Sequence, residues 1–323
     1  MENATEKRST VDVIVVSFNT KELLRDCLRS IAATCQPPLE ARVCVVDNAS
    51  SDGSPEMVRR EFQGVHLIVL DENLGFGAAN NRGLHSGNAE YVLFLNSDAQ
   101  LTESALAALV AFMEQHLRCA AVGPRLAYAD GRFQASCRRF PNLLRNFWSL
   151  SGLQARCPGH LRSLQNWLSE DEHTSGRLVD MVSGACFLAR RAYLEQVGGF
   201  DENLFLYEEE TDLFLPARRK AWEVRHCSEA KVIHLGGSSV EANELKAFSR
   251  FHAYRSKYYV FRKHYGAWTS RLAYWSDLLV FAISTIVSRL RGKESRAGER
   301  SILCRKAYRY SFSPMSQLRT PGL

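Results

Sequence analysis

Glu208-Glu-Glu-Thr-Asp212 places four carboxylates within five residues, directly after the apolar and aromatic run Leu204 to Tyr207. Like charges crowded beside apolar side chains raise the pKa of at least one carboxyl group, and a carboxylate so tuned is a usable general base. The same residues also suit the acidic first turn of a helix, which the helix dipole favours. A second candidate, Asn96-Ser-Asp98, closes the apolar run Tyr91 to Leu95. Asp98 could hold Mg²⁺ or Mn²⁺, ions that use one or two protein carboxylates and take further ligands from phosphates and water. As a lone tripeptide it reads equally well as the cap of a helix starting near Thr102. His234 ends the short run Val232-Ile-His234, just before Leu-Gly-Gly-Ser-Ser239. Its imidazole could complete a cation site, and Gly236 to Ser239 could donate to phosphate oxygens. Taken alone, it reads as an ordinary surface histidine.

These residues need a scaffold, and the chain supplies a regular one. Val11 to Val16 reads as a buried strand, and a helix with Leu23, Leu24, Cys27, Leu28 and Ile31 on one face follows. Further strands are expected at Val43 to Val46, His66 to Leu70, Tyr91 to Leu95, Met181 to Leu188, Val224 to Cys227 and Lys231 to Leu235. Apolar strands alternating with helices imply an α/β fold with a mostly parallel, Rossmann-like sheet whose binding residues gather at the strands' carboxyl ends. Asn19, Asp47, Asn73 and Asp98 fall at those ends. Each alone could be a helix cap, but four in succession favour a site. Asn73-Leu-Gly-Phe-Gly-Ala-Ala-Asn80 is not a dinucleotide fingerprint, because Asn80 stands where the third glycine belongs and the motif follows the third strand. Residues 140–178 show weak periodicity and read as an insertion that helps to hold an acceptor.

Hydrophobic residues make up 46% of the 323, enough for a substantial core. Nine cysteines are scattered singly with no C-x-x-C pair, which disfavours a zinc or dithiol centre and suits a reducing compartment. Met1 to Thr10 is polar and lacks the apolar segment of a secretory signal, so the catalytic part is expected in the cytoplasm.

Together these segments resemble the family 2 glycosyltransferases of GT-A fold, especially the bacterial rhamnosyltransferase-like branch. The resemblance rests on Val13-Ile-Val-Val-Ser-Phe-Asn19, Val45-Val-Asp-Asn-Ala-Ser-Ser-Asp-Gly-Ser54, Asn73-Leu-Gly-Phe-Gly77, Leu93-Phe-Leu-Asn-Ser-Asp98, Ser183-Gly-Ala-Cys-Phe-Leu188, Gly199-Phe-Asp-Glu202, Phe205-Leu-Tyr-Glu-Glu-Glu-Thr-Asp-Leu213 and Val232-Ile-His234. It implies that Asp47 holds the nucleobase or ribose, with Asn19, Ser51, Asn73, Gly75 and Asn80 near the nucleotide. It makes Asp98 the metal-binding carboxylate of the D-x-D motif, whose first position is Asn96 here, and His234 a further metal ligand. The family's acidic pair falls on Glu209 and Glu210, where many relatives have Glu-Asp. The implied reaction is an inverting transfer from a nucleotide-sugar donor, such as dTDP-L-rhamnose, to a hydroxyl of a lipid-linked or cell-wall glycan, with Glu210 or else Glu209 as base. Two other readings are an inactive glycan- or nucleotide-binding module and a nucleotidyltransferase. The latter lacks its glycine- and lysine-rich N-terminal signature.

Residues 1–240 are thus expected to form the catalytic domain and 241–323 a helical extension. The extension carries 16 Lys and Arg against 5 Asp and Glu, whereas the first 240 residues hold 25 against 30. No nucleic-acid-binding signature accompanies these bases. His252 to His264 reads as one helix, and Leu272 to Ser288 as an apolar segment followed by Arg289, Arg291, Lys293, Arg296, Arg300, Arg305, Lys306 and Arg309. That pattern favours an interfacial helix on an anionic cytoplasmic membrane face over a true span. A helix packed on the catalytic domain, or on a second subunit in a homo-oligomer, is the competing expectation.

Overall fold

The computed structural model describes residues 10–34, 39–152, 159–236, 243–292 and 297–314. The first half alternates as expected: β1 (Thr10–Ser17), α1 (Lys21–Thr34), β2 (Glu40–Asp47), α2 (Ser54–Glu61), β3 (His66–Val69), α3 (Phe76–His85) and β4 (Tyr91–Asn96). These four strands pair in parallel in the order β3-β2-β1-β4. Next come β5 (Ala99–Leu101), α4 (Ala105–Gln115), β6 (Cys119–Ala127), β7 (Phe133–Gln134), β8 (Cys137–Arg138) and α5 (Leu143–Leu150). The domain is completed by β9 (Leu178–Val179), β10 (Met181–Val182), β11 (Cys186–Arg190), α6 (Arg191–Val197), α7 (Glu209–Phe214) and β12 (Glu223–His234). β11 runs antiparallel between β4 and β6, so β6 points the same way as the first four strands, and β12 joins it in parallel. The result is a mostly parallel sheet flanked by helices.

Alternation along β1 explains the layering. Val11, Val13 and Val15 face Leu24, Leu28, Ile31 and Met57 on one side of the sheet. Ile14 faces the other, with Ala79, Leu84, Leu194 and Phe214. β1 is buried on both faces, and this is why Val13 to Val16 reads as an unbroken apolar run; Asp12, buried ahead of it, is paired with Arg191.

Two sequence expectations are corrected. Met181 to Leu188 is not one strand: β10 pairs with β8 in a separate two-stranded sheet, β11 enters the main sheet, and Ser183-Gly-Ala185 turns between them. The break sits where Gly184 meets Glu210; a Cβ on Gly184 would collide with the Glu210 carboxylate. Val224 to Cys227 and Lys231 to Leu235 are one strand, β12, with an irregularity between Cys227 and Lys231. That interruption separates the two apolar patches in sequence without ending the strand.

The C-terminal helices are α8 (Asn243–Tyr265), α9 (Ala267–Leu290) and α10 (Ala297–Tyr310). α8 lies along residues 201–212. Lys263 bonds Asp201 at 2.6 Å and Asp212 at 2.8 Å, His264 Nε2 bonds Asp212 at 2.6 Å, and Tyr259 donates to Asp201 at 2.8 Å. Arg255, fully buried, donates to the carbonyls of Asn203, Tyr310 and Ser313. α9 packs on α5 and α8 around Asp277, which is 0% exposed. It accepts from Asn146 Nδ2 at 2.7 Å, from Tyr258 at 2.5 Å and from the Lys257 ammonium. Within 140–178, buried His173 props up β8: its Nε2 accepts the N–H groups of Ser136 and Cys137, both at 3.1 Å.

Candidate active site

Register brings the polar strand ends level. Ser17 pairs with Asp47 and Val16 with Asn96, so the loops after β1, β2 and β4 open side by side. Asn19, in the left-handed region with φ 54°, accepts the Ser51 N–H on its Oδ1 at 2.8 Å, while its own N–H donates to Ser50 Oγ at 2.9 Å. Asp47 is buried. Its Oδ2 accepts the Ser50 N–H at 2.9 Å, and its Oδ1 has no partner. A buried carboxylate oxygen left this way costs roughly 1–3 kcal/mol, which a donor from a bound molecule would recover.

Asn73 and Gly75 serve the same rim differently. Asn73 Oδ1 accepts the Gly75 N–H at 2.9 Å and the amide of Asn48 at 2.8 Å, so it holds the turn together. Gly75, with φ 86°, lies where a Cβ would collide with the Phe205 carbonyl, which also accepts the Phe76 N–H at 2.9 Å. This turn therefore presses against the segment carrying the acidic cluster. Asn80 is buried one turn into α3 and donates to the Phe76 carbonyl at 3.0 Å.

Asp98 and His234 meet, although 136 positions separate them in the chain. β12 pairs antiparallel with β5 so that His234 stands opposite Ala99, next to Asp98. The imidazole Nε2 lies 3.3 Å from Asp98 Oδ1. The other ring nitrogen, Nδ1, is hydrogen-bonded to Gln134 Oε1 at 2.9 Å, which turns the Nε2 edge of the ring toward Asp98. An imidazole nitrogen and a carboxylate oxygen at this separation are placed so that one cation would contact both. Among the described residues no group of three or more His, Cys, Asp or Glu converges as a closed metal cage. Two protein donors fit an ion that takes its remaining ligands from phosphate and water. Gly237 to Ser239 lie outside the described residues.

The acidic cluster divides by role. Asp212 is committed to Lys263 and His264 on α8. Glu208, at positive φ, approaches Arg138 at 3.9 Å. Glu209 is buried with Oε1 unpartnered, and burial, reinforced by the neighbouring Glu210, pushes its carboxyl well above the ordinary range. Glu210 accepts the Gly184 N–H at 2.7 Å; burial raises its pKa too, opposed by Arg138 and that N–H. Gly184 also links this carboxylate to the cation side. The next residue, Ala185, accepts the Asn96 N–H at 2.9 Å, two positions before Asp98. The site therefore joins a buried base candidate, a two-donor cation candidate and an unpaired acceptor on one rim of the sheet.

The profile of glycosyl transferase family 2 matches residues 12–198, more than half of the chain. The chain belongs to this family. It is 30% identical over 275 residues to the N-acetylglucosaminyl-diphospho-decaprenol L-rhamnosyltransferase of Mycobacterium tuberculosis, spanning 80% of this chain and 87% of that protein. It is 24% identical over 228 residues to the low-salt glycan biosynthesis hexosyltransferase Agl10 of Haloferax volcanii, across 69% of this chain and 66% of the relative. Among solved structures, the fold resembles the mannosyltransferase PcManGT of Pyrobaculum calidifontis in complex with GDP-Man and Mn²⁺. The TM-score is 0.55 and identity 19%, over 98% of this chain and 84% of that one. S. aureus TarS 1–349 in complex with UDP-GlcNAc gives a TM-score of 0.54 at 19% identity, over 96% and 85% of the two chains. The protein is thus a glycosyltransferase with a GT-A fold.

Three residues of this glycosyltransferase's site escaped the sequence reading. Gln134 sits in a two-residue strand with no periodic signal, and only the pairing of β7 with β6 brings it to His234. Gly184 belongs to a recognisable segment, but its contact with Glu210 depends on how α7 packs. Arg138, stacked over Trp167 at 5.0 Å and with its Nε unpartnered, looks in sequence like any basic strand residue.

Proposed function

We propose that this glycosyltransferase moves L-rhamnose from a nucleoside-diphosphate donor, with inversion, to a hydroxyl of an N-acetylglucosaminyl unit on a lipid diphosphate, a step in building a cell-wall glycan. The juxtaposition of Asp98 and His234, with Gln134 holding the second ring nitrogen, carries this reading. The name of the 30% identical mycobacterial relative supports the donor and acceptor. Solved neighbours containing Mn²⁺ support the cation.

Asp98 and His234 would hold a divalent cation, Mg²⁺ or Mn²⁺, whose chemistry there would be to offset the negative charge of the diphosphate. Asp47 accepts from the nucleobase or ribose through its open Oδ1, and the Asn19–Ser51 pair shapes the loop beside it. The turn of Asn73 and Gly75, with Asn80 behind it, and Asn96 at the end of β4 line the nucleotide side. Glu210 removes the proton from the acceptor hydroxyl as that oxygen attacks the anomeric carbon, and the carbon–oxygen bond to the diphosphate breaks on the opposite side. Burial and its neighbour raise the Glu209 carboxyl further than that of Glu210, which Arg138 and the Gly184 N–H hold down, so Glu210 is the member of the pair that favours the carboxylate. A lipid-linked acceptor places the enzyme on the cytoplasmic membrane face.

Incubation of the purified chain with a panel of sugar nucleotides and a short-chain lipid-diphosphate N-acetylglucosamine tests this. Rhamnosyl transfer that stops with chelator and returns with Mn²⁺ is expected. Binding of nucleotide without release of nucleoside diphosphate from any donor would instead identify a binding module.

A further inference from the structure

α9 turns Ala273, Val280 and Phe281 inward together with two polar residues, and presents a row of large apolar residues outward. Asp277 and Ser270 are fully buried, and Asp277 is the helix's one acidic residue. Trp268, Leu272, Trp275, Leu279, Ile283, Ile286 and Leu290 are all exposed, at spacings of four, three, four, four, three and four. Such spacing draws a single straight stripe along six helical turns. The tryptophans at the first half of the stripe are 75% and 64% exposed and Leu290 is 82% exposed, far beyond what scattered surface residues explain. Arg271 flanks one end, stacked over Trp268 at 4.9 Å, and Arg289 and Arg291 flank the other. Exposed Arg300, Arg305 and Arg309 add charge on α10, which packs against α9.

We infer that this outward face of α9 lies in the headgroup region of an anionic bilayer, with the stripe inserted and the arginines on phosphate. This rests on the proposed lipid-linked acceptor and adds which surface meets the lipid. By length and composition α9 could cross a membrane, and among the described residues it alone could. A span would expose to lipid the face that bears Asp277, together with its bonds to Asn146, Tyr258 and Lys257. An interfacial pose keeps those bonds and buries only the apolar stripe, while tryptophan suits the boundary between headgroups and acyl chains. A second copy fits less well. Both ends of the stripe are basic, so pairing two copies in parallel or antiparallel aligns like charges, whereas an anionic surface complements both ends at once. The pose also reaches the site, since α9 packs on α8 and α8 is bonded to Asp201 and Asp212 on either side of Glu210.

The test is flotation of the full chain with phosphatidylcholine vesicles, with and without an equal share of phosphatidylglycerol, comparing parent, Leu272→Gln/Leu279→Gln/Ile283→Gln and Arg289→Glu/Arg291→Glu. The parent is expected to float with the anionic vesicles. Each inserted leucine or isoleucine contributes roughly a factor of ten, so the triple variant should lose about 10²-fold or more in partitioning. The charge variant should lose its preference for phosphatidylglycerol. Both variants should match the parent with a water-soluble short-chain acceptor, which also certifies their folding, and fall behind only with acceptor embedded in vesicles. Parent-like flotation of both variants would overturn the inference, as would a stable dimer in sedimentation that the triple variant dissolves. Normal lipid binding without transfer to either acceptor would remove the proposed reaction and leave the membrane face standing.

Discussion

His234 Nε2 faces Asp98 Oδ1 at 3.3 Å while its Nδ1 is tied to Gln134 Oε1 at 2.9 Å, so the amide fixes which edge of the ring meets the carboxylate. Gln134 thus acts as a positioning residue. Gln134→Leu is expected to weaken Mn²⁺ affinity about 10–100-fold, as loss of a partner behind a metal-bound histidine does, with turnover recovering at high Mn²⁺. An unchanged Mn²⁺ titration of activity would show that the amide orients nothing.

Glu210→Gln keeps an acceptor for the Gly184 N–H, so the variant should fold and bind nucleotide sugar. Its turnover should fall about 10²–10⁴-fold, the usual cost of losing a positioned base. Because burial raises the carboxyl's pKa, the parent's rate should fall with acidification at a pH above that of an ordinary carboxylate, and the limb belongs to the Glu209–Glu210 pair jointly. Parent-like turnover in the variant would exclude this base.

Glu209 carries a stability cost that pH reveals. Its folded pKa lies well above 4.5, from burial first and Glu210 second. Between 4.5 and the raised value the folded chain therefore binds more protons than the unfolded one, and stability declines as pH rises through that window. Glu209→Gln should melt higher than the parent at neutral pH, and the gap should close as pH drops below 4.5. A melting difference independent of pH would refute the assignment.

Asp277 balances Lys257 inside the helical bundle. Asp277→Leu leaves that ammonium, 13% exposed, without its counter-charge and should cost about 3–5 kcal/mol in urea unfolding. Asp277→Leu/Lys257→Met should recover much of the loss. A single variant as stable as the parent would mean the pair is not coupled.

Much of the site is readable from residue order. Asn19, Asp47 and Asp98 follow apolar strands, and a parallel sheet brings such ends together whatever the loops contain, so their convergence follows from strand periodicity alone. The burial of Leu24, Cys27, Leu28 and Ile31 on one face of α1 is legible for the same reason. The single reading of Met181 to Leu188 fails because β10 and β11 are both apolar, and nothing in a run of apolar residues marks where the chain changes sheets. Asp212 looked like part of the acidic cluster, yet it is taken by Lys263 and His264 from a helix about fifty residues away.

By itself the sequence determined the α/β class, the family, and which carboxylates and which histidine could do chemistry, because these depend on local periodicity and residue type. Tertiary structure decided which of them pair. The 3.3 Å between Asp98 and His234 depends on the register of β12 against β5, the Glu210–Gly184 bond on where α7 settles, and the outward stripe of α9 on which face Asp277 claims for the interior. Each of these is a long-range contact, set by packing between segments whose own sequences carry no record of one another.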